Sequence, residues 1–227
     1  MTPDPLDRPI WAALSTTHRP HALGDDRARR YHPDIGPLAA AIDDTAESLA
    51  DLRRLIATHG GVGLLQAGPA PLPPGCVEIQ RADAVQMTAT DDTGIVSPDV
   101  FVRRLGPADV PEMVDLATLT APGPFAARTA TLGTFLGIRI DGRLAAMAGE
   151  RTRFPGHTEL SGVCTHPDFR GRGLAAALCR HLTADIRKRG DRPFLHAFAA
   201  NRPAIALYET LGWKIRRDMT FVRLAPA

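Results

Sequence analysis

The residues best suited to chemistry in this chain lie in one string, Val163 to Leu178 (VCTHPDFRGRGLAAAL). It reads as a strand, a turn around Pro167, and then Arg170-Gly171-Arg172-Gly173-Leu174-Ala175 entering a helix. The first N–H groups of a helix have no acceptor within it, and the macrodipole adds partial positive charge there. Two glycines strip away the side chains that would cover those donors. A pyrophosphate suits such a corner, with Arg170 and Arg172 adding charge-assisted contacts at its edge. A glycine pair alone is more often a simple helix cap. No Gly-Lys-Ser/Thr follows and the spacing is not GxGxxG, so neither a Walker loop nor a dinucleotide fold is indicated. Cys76, Cys164 and Cys179 are odd in number and lack CxxC spacing, which points to neither a disulfide framework nor a zinc knuckle. The histidines, including His18-x-x-His21, form no metal set. Cys164 lies within the string, but nothing beside it in sequence would activate a thiolate, so it reads as a small buried residue. His166, at the turn, reads as structural.

Such a corner needs a strand before it and a helix after it, and the second part of the chain supplies both. A strand is predicted over Phe101–Leu105 and a helix from Gly106-Pro107 to about Leu119. A hairpin over 135–153 turns at Asp141-Gly142, and a strand covers His157–Thr165. A helix covers Gly171–Arg189, with Leu174, Leu178, Leu182 and Ile186 as its buried stripe. A strand over Pro193–Ala199, a helix over Asn201–Leu211 and a last strand pair over Trp213–Leu224 complete the order. The first part reads less clearly: a helix over Asp44–His59, a strand over Val62–Gln66, a proline-rich break from Gly68 to Gly75, and a strand over Val77–Met87. The polar, turn-rich stretch Thr88–Asp99 is taken as a boundary. The expected class is therefore α/β (α+β), a mixed, largely antiparallel sheet flanked by helices. Residues 96–227 form the main domain, and residues 1–95 a smaller α/β region that could be a degenerate half-copy of it.

Composition narrows the function. The chain has 227 residues, 44% hydrophobic and 23% charged, which is ordinary globular usage. Its 27 cations and 25 anions leave a net charge of only +2, without the basic excess of a nucleic-acid binder. No run reaches the ~18 apolar residues of a membrane span, and the start lacks the layout of a secretory signal. A cytoplasmic protein, monomeric or homodimeric, is expected, with no nucleic-acid or membrane partner.

Two motifs then acquire a joint meaning. Arg170-x-x-Gly173-x-Ala175, preceded by Val163-x-Thr165-x-Pro167, resembles the acyl-CoA signature of the GNAT superfamily of N-acyltransferases. Asn201-x-x-Ala204-x-x-Leu207-Tyr208-x-x-Leu211-Gly212-Trp213 resembles that family's second cofactor-binding segment, with Trp213 in place of the usual Phe. The resemblance covers about Ser97 to Leu224, and its wording is closest to the glycine N-acyltransferase-like branch. It implies acetyl-CoA as co-substrate, no metal, and an amine acceptor, either a small molecule or a protein amine. The CoA thioester would lie across the splayed edges of two central strands. Its pantetheine would pair with the backbone at Val163, Cys164 and Thr165. Its pyrophosphate would rest on the amides of Arg170, Gly171, Arg172, Gly173, Leu174 and Ala175, with further contacts from Asn201 and Tyr208.

Acyl transfer to an amine requires loss of an amine proton, donors for an oxyanion and an acid for the departing thiolate. Tyr208 lies seven residues after Asn201, two helical turns along one face. The resemblance turns that face to the thioester sulfur and makes Tyr208 the acid. Asn201 is also a natural N-cap. The family often places a base on the strand before the signature, which nominates Glu159, with Glu150 on the preceding strand as rival. Strand alternation groups Glu159, Ser161 and Val163 on one face and Leu160, Gly162 and Cys164 on the other. The acceptor groove is expected from Thr120–Thr134 and the tip at Phe154-Pro155. The expected activity is direct acetyl transfer in a ternary complex. The alternatives are a non-catalytic acyl-CoA-binding regulatory module, or an interaction protein whose front segment docks the acceptor.

Overall fold

The computed structural model describes residues 4–90 and 101–227. In chain order its elements are α1 (Pro9–Ser15), β1 (Ala22–Gly24), β2 (Ala28–Tyr31), β3 (Ala39–Ala41), α2 (Ala46–His59), β4 (Val62–Gln66) and β5 (Cys76–Ala89). There follow β6 (Arg103–Arg104), α3 (Val110–Thr120), β7 (Phe135–Ile140), β8 (Arg143–Phe154), β9 (His157–Thr165), α4 (Leu174–Lys188), β10 (Arg192–Phe198), α5 (Arg202–Thr210) and β11 (Trp213–Pro226).

Eight strands form one mixed sheet in the order β4-β11-β5-β10-β9-β8-β7-β6. Only the β9–β10 pair is parallel; the remaining pairs are antiparallel. This matches the expected mixed α/β class. A separate small sheet, β1-β2-β3, sits beside the β4 edge through the Leu38–Gly63 bridge. Consecutive residues of β8 separate the two faces: Ala146 and Ala148 join the core with Leu178 and Ile205, whereas Met147 joins Met113 and Leu116. Helices α4 and α5 thus cover one face and α3 the other. On β5, Val85 and Met87 point to the α4 side and Ala84 to Ile10 and Leu14 of α1. The α4 stripe of Leu174, Leu178, Leu182 and Ile186 is buried as its spacing predicts.

Two readings need correction. Trp213–Leu224 is not a strand pair but part of the single strand β11, whose partner is β5 over the whole length from Trp213↔Ala89 to Pro226↔Cys76. No Gly, Pro or Asn interrupts residues 213–224, so nothing there turns the chain; an irregularity at Arg216 only bends it. The expected boundary Thr88–Asp99 falls mostly on residues 91–100, outside the described residues. Ahead of it, β5 runs to Ala89 and lies between β10 and β11, so strands from both sides of residue 95 share one sheet. Elements α1 and β1–β3 add local structure to a stretch whose sequence showed no pattern. Among the described residues, no helix is long and apolar enough to cross a membrane.

This topology makes a direct prediction. Residues 101–227 expressed alone lose the strand between β10 and β11 and leave both long edges unpaired. The fragment should aggregate or lack near-UV circular dichroism, and co-expression with residues 1–90 should restore an ordered, soluble protein. A monomeric fragment with native-like spectra would show that β5 is dispensable.

Candidate active site

Strands β9 and β10 hold together only at Arg192↔His157, Pro193↔Thr158 and Phe194↔Glu159. Beyond Glu159 they part, β9 staying with β8 and β10 with β5. Between Ser161↔Gly149 and Cys164↔Met147, β9 carries one residue more than β8, a bulge in which Gly162 takes φ +62°. The bulge overturns the expected alternation. Leu160 and Val163 pack with the α4 core, whereas Cys164 faces Met113 and Leu116 beneath α3.

The fork opens into a cavity of about 190 Å³ lined from both faces of the sheet. Asn201, Ala204 and Tyr208 of α5 line one side. Leu38, Leu65, Ala84 and Phe221 line the other, and Ala121–Pro124 adds to the lining. Of the stretch Thr120–Thr134, expected in the acceptor groove, Ala121–Pro124 lines this cavity. The Phe154-Pro155 tip is absent from the lining, because Phe154 is buried against His157 and Phe194.

A buried polar chain forms the cavity's charged wall. Arg151 donates from Nε to Glu159 Oε2 at 3.1 Å and from Nη2 to Oε1 at 2.6 Å. His196 Nδ1 lies 2.8 Å from the same Oε1, and its Nε2 is 3.0 Å from Gln86 Nε2. Gln86 is oriented by its neighbours: Nε2 donates to the Leu6 carbonyl at 2.8 Å, and Oε1 accepts from Arg216 Nη1 at 2.8 Å. Its amide therefore donates to His196 Nε2, which places the imidazole proton on Nδ1, toward Glu159. Arg216, at the β11 irregularity, is anchored in turn by Asp4 and Asp7.

Glu159 was expected to be the base, and its surroundings correct that role. The side chain is fully buried, and although burial alone would raise its proton affinity, Arg151 and His196 hold it well below the usual carboxylate range. A carboxylate so stabilised is a poor proton acceptor. Glu150 is no better placed: Oε1 pairs with Arg189 at 2.5 Å, Oε2 accepts from the Thr134 amide, and the residue is absent from the cavity lining.

Tyr208 reaches the cavity with its ring against Trp213. Its hydroxyl has no hydrogen-bond partner among the described residues, and burial pushes the phenol above its ordinary proton affinity. It is protonated at neutral pH and free to donate into the cavity. Asn201 caps α5, accepting from the Ala204 amide at 3.3 Å, and also lines the cavity. At the helix entry, Gly171 (φ +75°) and Gly173 (φ +73°) are left-handed, and a Cβ at either would project into open space. The first N–H bonded back to the α4 entry is Ala177, to Gly173, which leaves the amides of Leu174 and Ala175 without a helical acceptor. Arg170 and Arg172 are exposed beside them, Arg172 lying over the Phe169 ring. A phosphate-bearing ligand fits that cradle. The Cys164 thiol is buried, which pushes its proton affinity up. Among the described residues, no group of three His, Cys, Asp or Glu side chains could hold a metal ion.

Comparison with known proteins agrees with this geometry. Residues 135–222 match the family model described as FR47-like protein. A crystal structure of a GNAT-family protein from Novosphingobium aromaticivorans shares 43% identity, with a TM-score of 0.91, covering 99% of this chain and 100% of that one. The chain is a member of the GNAT family. A GCN5-related N-acetyltransferase from Kribbella flavida has the same fold, with a TM-score of 0.66 at 18% identity over 97% of this chain and 95% of that one. Over 82 residues, 34% of this chain, the sequence is 38% identical to the ribosomal protein bS18-alanine N-acetyltransferase of Escherichia coli K12. The chain spans about half the length of such curated relatives, 55% in that case.

Arg151, His196 and Gln86 escaped sequence reasoning. The one available cue was that Arg151 and Glu159 stand on neighbouring strands of a hairpin. Glu159→Gln leaves the Arg151 charge buried and unbalanced, so we expect a loss of about 3 kcal/mol at pH 7 in denaturant melts. Because folding depresses the Glu159 proton affinity, the wild-type advantage is complete above the ordinary value of 4.5. It shrinks as pH falls below that value and the carboxylate is forced to take a proton. A gap that is absent, or independent of pH, would contradict the ion-pair role.

Proposed function

We propose that this protein is an acyl-CoA-dependent N-acyltransferase that moves an acetyl group from acetyl-CoA to a primary amine, by direct attack in a ternary complex. The observation that carries the reading is the fork. Two parallel strands separate at Glu159 and Phe194, and the cavity between them receives the unpartnered Tyr208 hydroxyl. Backbone groups of β9 at Val163, Cys164 and Thr165, released from β10, suit the amides of pantetheine. The amides from Arg170 to Ala175, with the Arg170 and Arg172 guanidinium groups, suit the pyrophosphate. Asn201 borders the same channel. The E. coli relative, named for acetylating an alanine of a ribosomal protein, supports an amine acceptor and a cytoplasmic setting. The wording of the cofactor strings keeps the chain near the glycine N-acyltransferase-like branch.

In this mechanism the acceptor enters from the side lined by Leu38, Leu65 and Ala84 and meets the thioester at the fork. The Glu159–Arg151 pair leaves the wall without net charge, and the amine attacks as its free base. Tyr208 gives its proton to the departing thiolate, and the proton shed by the attacking nitrogen as it becomes an amide restores the Tyr208 phenol. Cys164, buried on the other face, takes no acyl group. Glu159 acts as a positioning residue for Arg151 and His196.

Tyr208→Phe keeps the ring and removes the proton. CoA affinity and Tm should hardly change, while kcat falls by roughly 10²-fold or more. Wild-type kcat in the variant would transfer the reading to a non-catalytic acyl-CoA-binding module. For the cofactor corner, Gly173→Asn and Gly173→Asp place similar side chains at the same left-handed position. Calorimetry should show CoA binding weakened far more by Asp than by Asn, because only the carboxylate repels the phosphates. Equal affinities would remove the pyrophosphate from this corner.

A further inference from the structure

Arg151 is more than the partner of Glu159. Its Nε and Nη2 are engaged by that carboxylate, but Nη1 has no acceptor among the described residues. The main cavity and a smaller neighbouring one, reaching toward Phe125 and Phe135, both have Arg151 in their lining. A Cβ built on Gly123 would stand in van der Waals contact with Nη1, 3.8 Å away, so the glycine keeps a side chain off that end of the guanidinium. The remaining acceptor-side wall is apolar, formed by Leu38, Leu65, Ala84 and Phe221.

We infer that Arg151 Nη1 anchors the acceptor, and that acceptors are α-amino carbonyl compounds, primary amines carrying a carbonyl or carboxylate oxygen on the neighbouring carbon. The inference rests on the acetyl-transfer reading and names the acceptor class within it. Glu159 balances the Arg151 charge, so the wall offers oriented N–H donors without a net field. An ammonium gains nothing from such a wall, whereas an oxygen acceptor gains a charge-assisted hydrogen bond facing the apolar side of the cavity. The size of the cavity sets the spacing. At about 190 Å³ it must hold the acetyl thioester as well as the reacting end of the acceptor, so the anchored oxygen lies within a few bonds of the amine. Glu159 fixes the guanidinium plane and His196 fixes Glu159, so Nη1 is aimed before the acceptor arrives.

The test uses the full chain with acetyl-CoA and three acceptors of similar size: alaninamide, alanine and isopropylamine. Rates are expressed per concentration of free base, to remove differences in amine ionisation. We expect kcat/KM for alaninamide, alanine or both to exceed that for isopropylamine by at least about tenfold, the scale of one charge-assisted hydrogen bond. The two oxygen-bearing arms tell a neutral carbonyl from a carboxylate. In the double variant R151Q/E159Q, which removes both charges together, the ratio should fall toward one. R151K, which keeps the charge but not the planar fork, should lower it as well and serves if the double variant does not fold. Isopropylamine turning over as well as the others in wild type, or a preference surviving both variants, would overturn the inference. Failure of all three amines to be acetylated while CoA still binds would overturn the acetyl-transfer reading on which it rests.

Discussion

Past Glu159 and Phe194, two parallel neighbours in the middle of a sheet stop hydrogen-bonding to each other. Inner strand edges carry obligatory donors and acceptors, and a native structure leaves them open only where something else will pair with them. The site follows from that separation. On one face the gap admits the α5 residues Tyr208 and Asn201, and on the other it admits residues from before position 90. What pins the fork is the buried set of Glu159, Arg151 and His196, drawn from β9, β8 and β10. Each group is costly to bury alone and acceptable with its partners. The pair at the crotch therefore stabilises the closed end, while Gly162 and its bulge steer β9 away beyond it.

The region ahead of residue 90 completes the same structure. Strand β5 fills the place between β10 and β11, and its Gln86 reaches across to His196. Arg216, Asp4 and Asp7 continue the chain of contacts to the surface. Leu38, Leu65 and Ala84 form a wall of the cavity. In physical terms this region supplies both the sheet's continuity and one wall of the cavity, and it carries no motif of its own.

That division explains what could be read from the sequence. Strand β9 and the hairpin before it are legible because the alternation is local and Asp141-Gly142 marks the turn. The α4 stripe and the glycines at its entry are legible for the same reason. The charged wall was not. Arg151 is eight residues from Glu159, but His196 is 37 away and Gln86 is 110 from His196. No local period reports that four strands bring them together. Glu159 looked like a base because a strand carboxylate beside a cofactor motif usually invites that reading, and only its two buried partners reverse it. Alternation misassigned the faces of Leu160 and Cys164 because a single glycine with positive φ shifts the register, a change no hydrophobic pattern records. The short strands β1–β3 were missed because three or four residues are too few to show a period.

The central claim is that the open fork is the thioester site, and the most direct measurement is a crystal structure of the full chain soaked with acetyl-CoA. The account predicts pantetheine density along the β9 edge at Val163–Thr165 and pyrophosphate on the amides of Gly171–Ala175. It also predicts the thioester sulfur within hydrogen-bond distance of the Tyr208 hydroxyl. Density for the cofactor elsewhere on the molecule, or at this corner with the sulfur turned away from Tyr208 and the cavity, would contradict it.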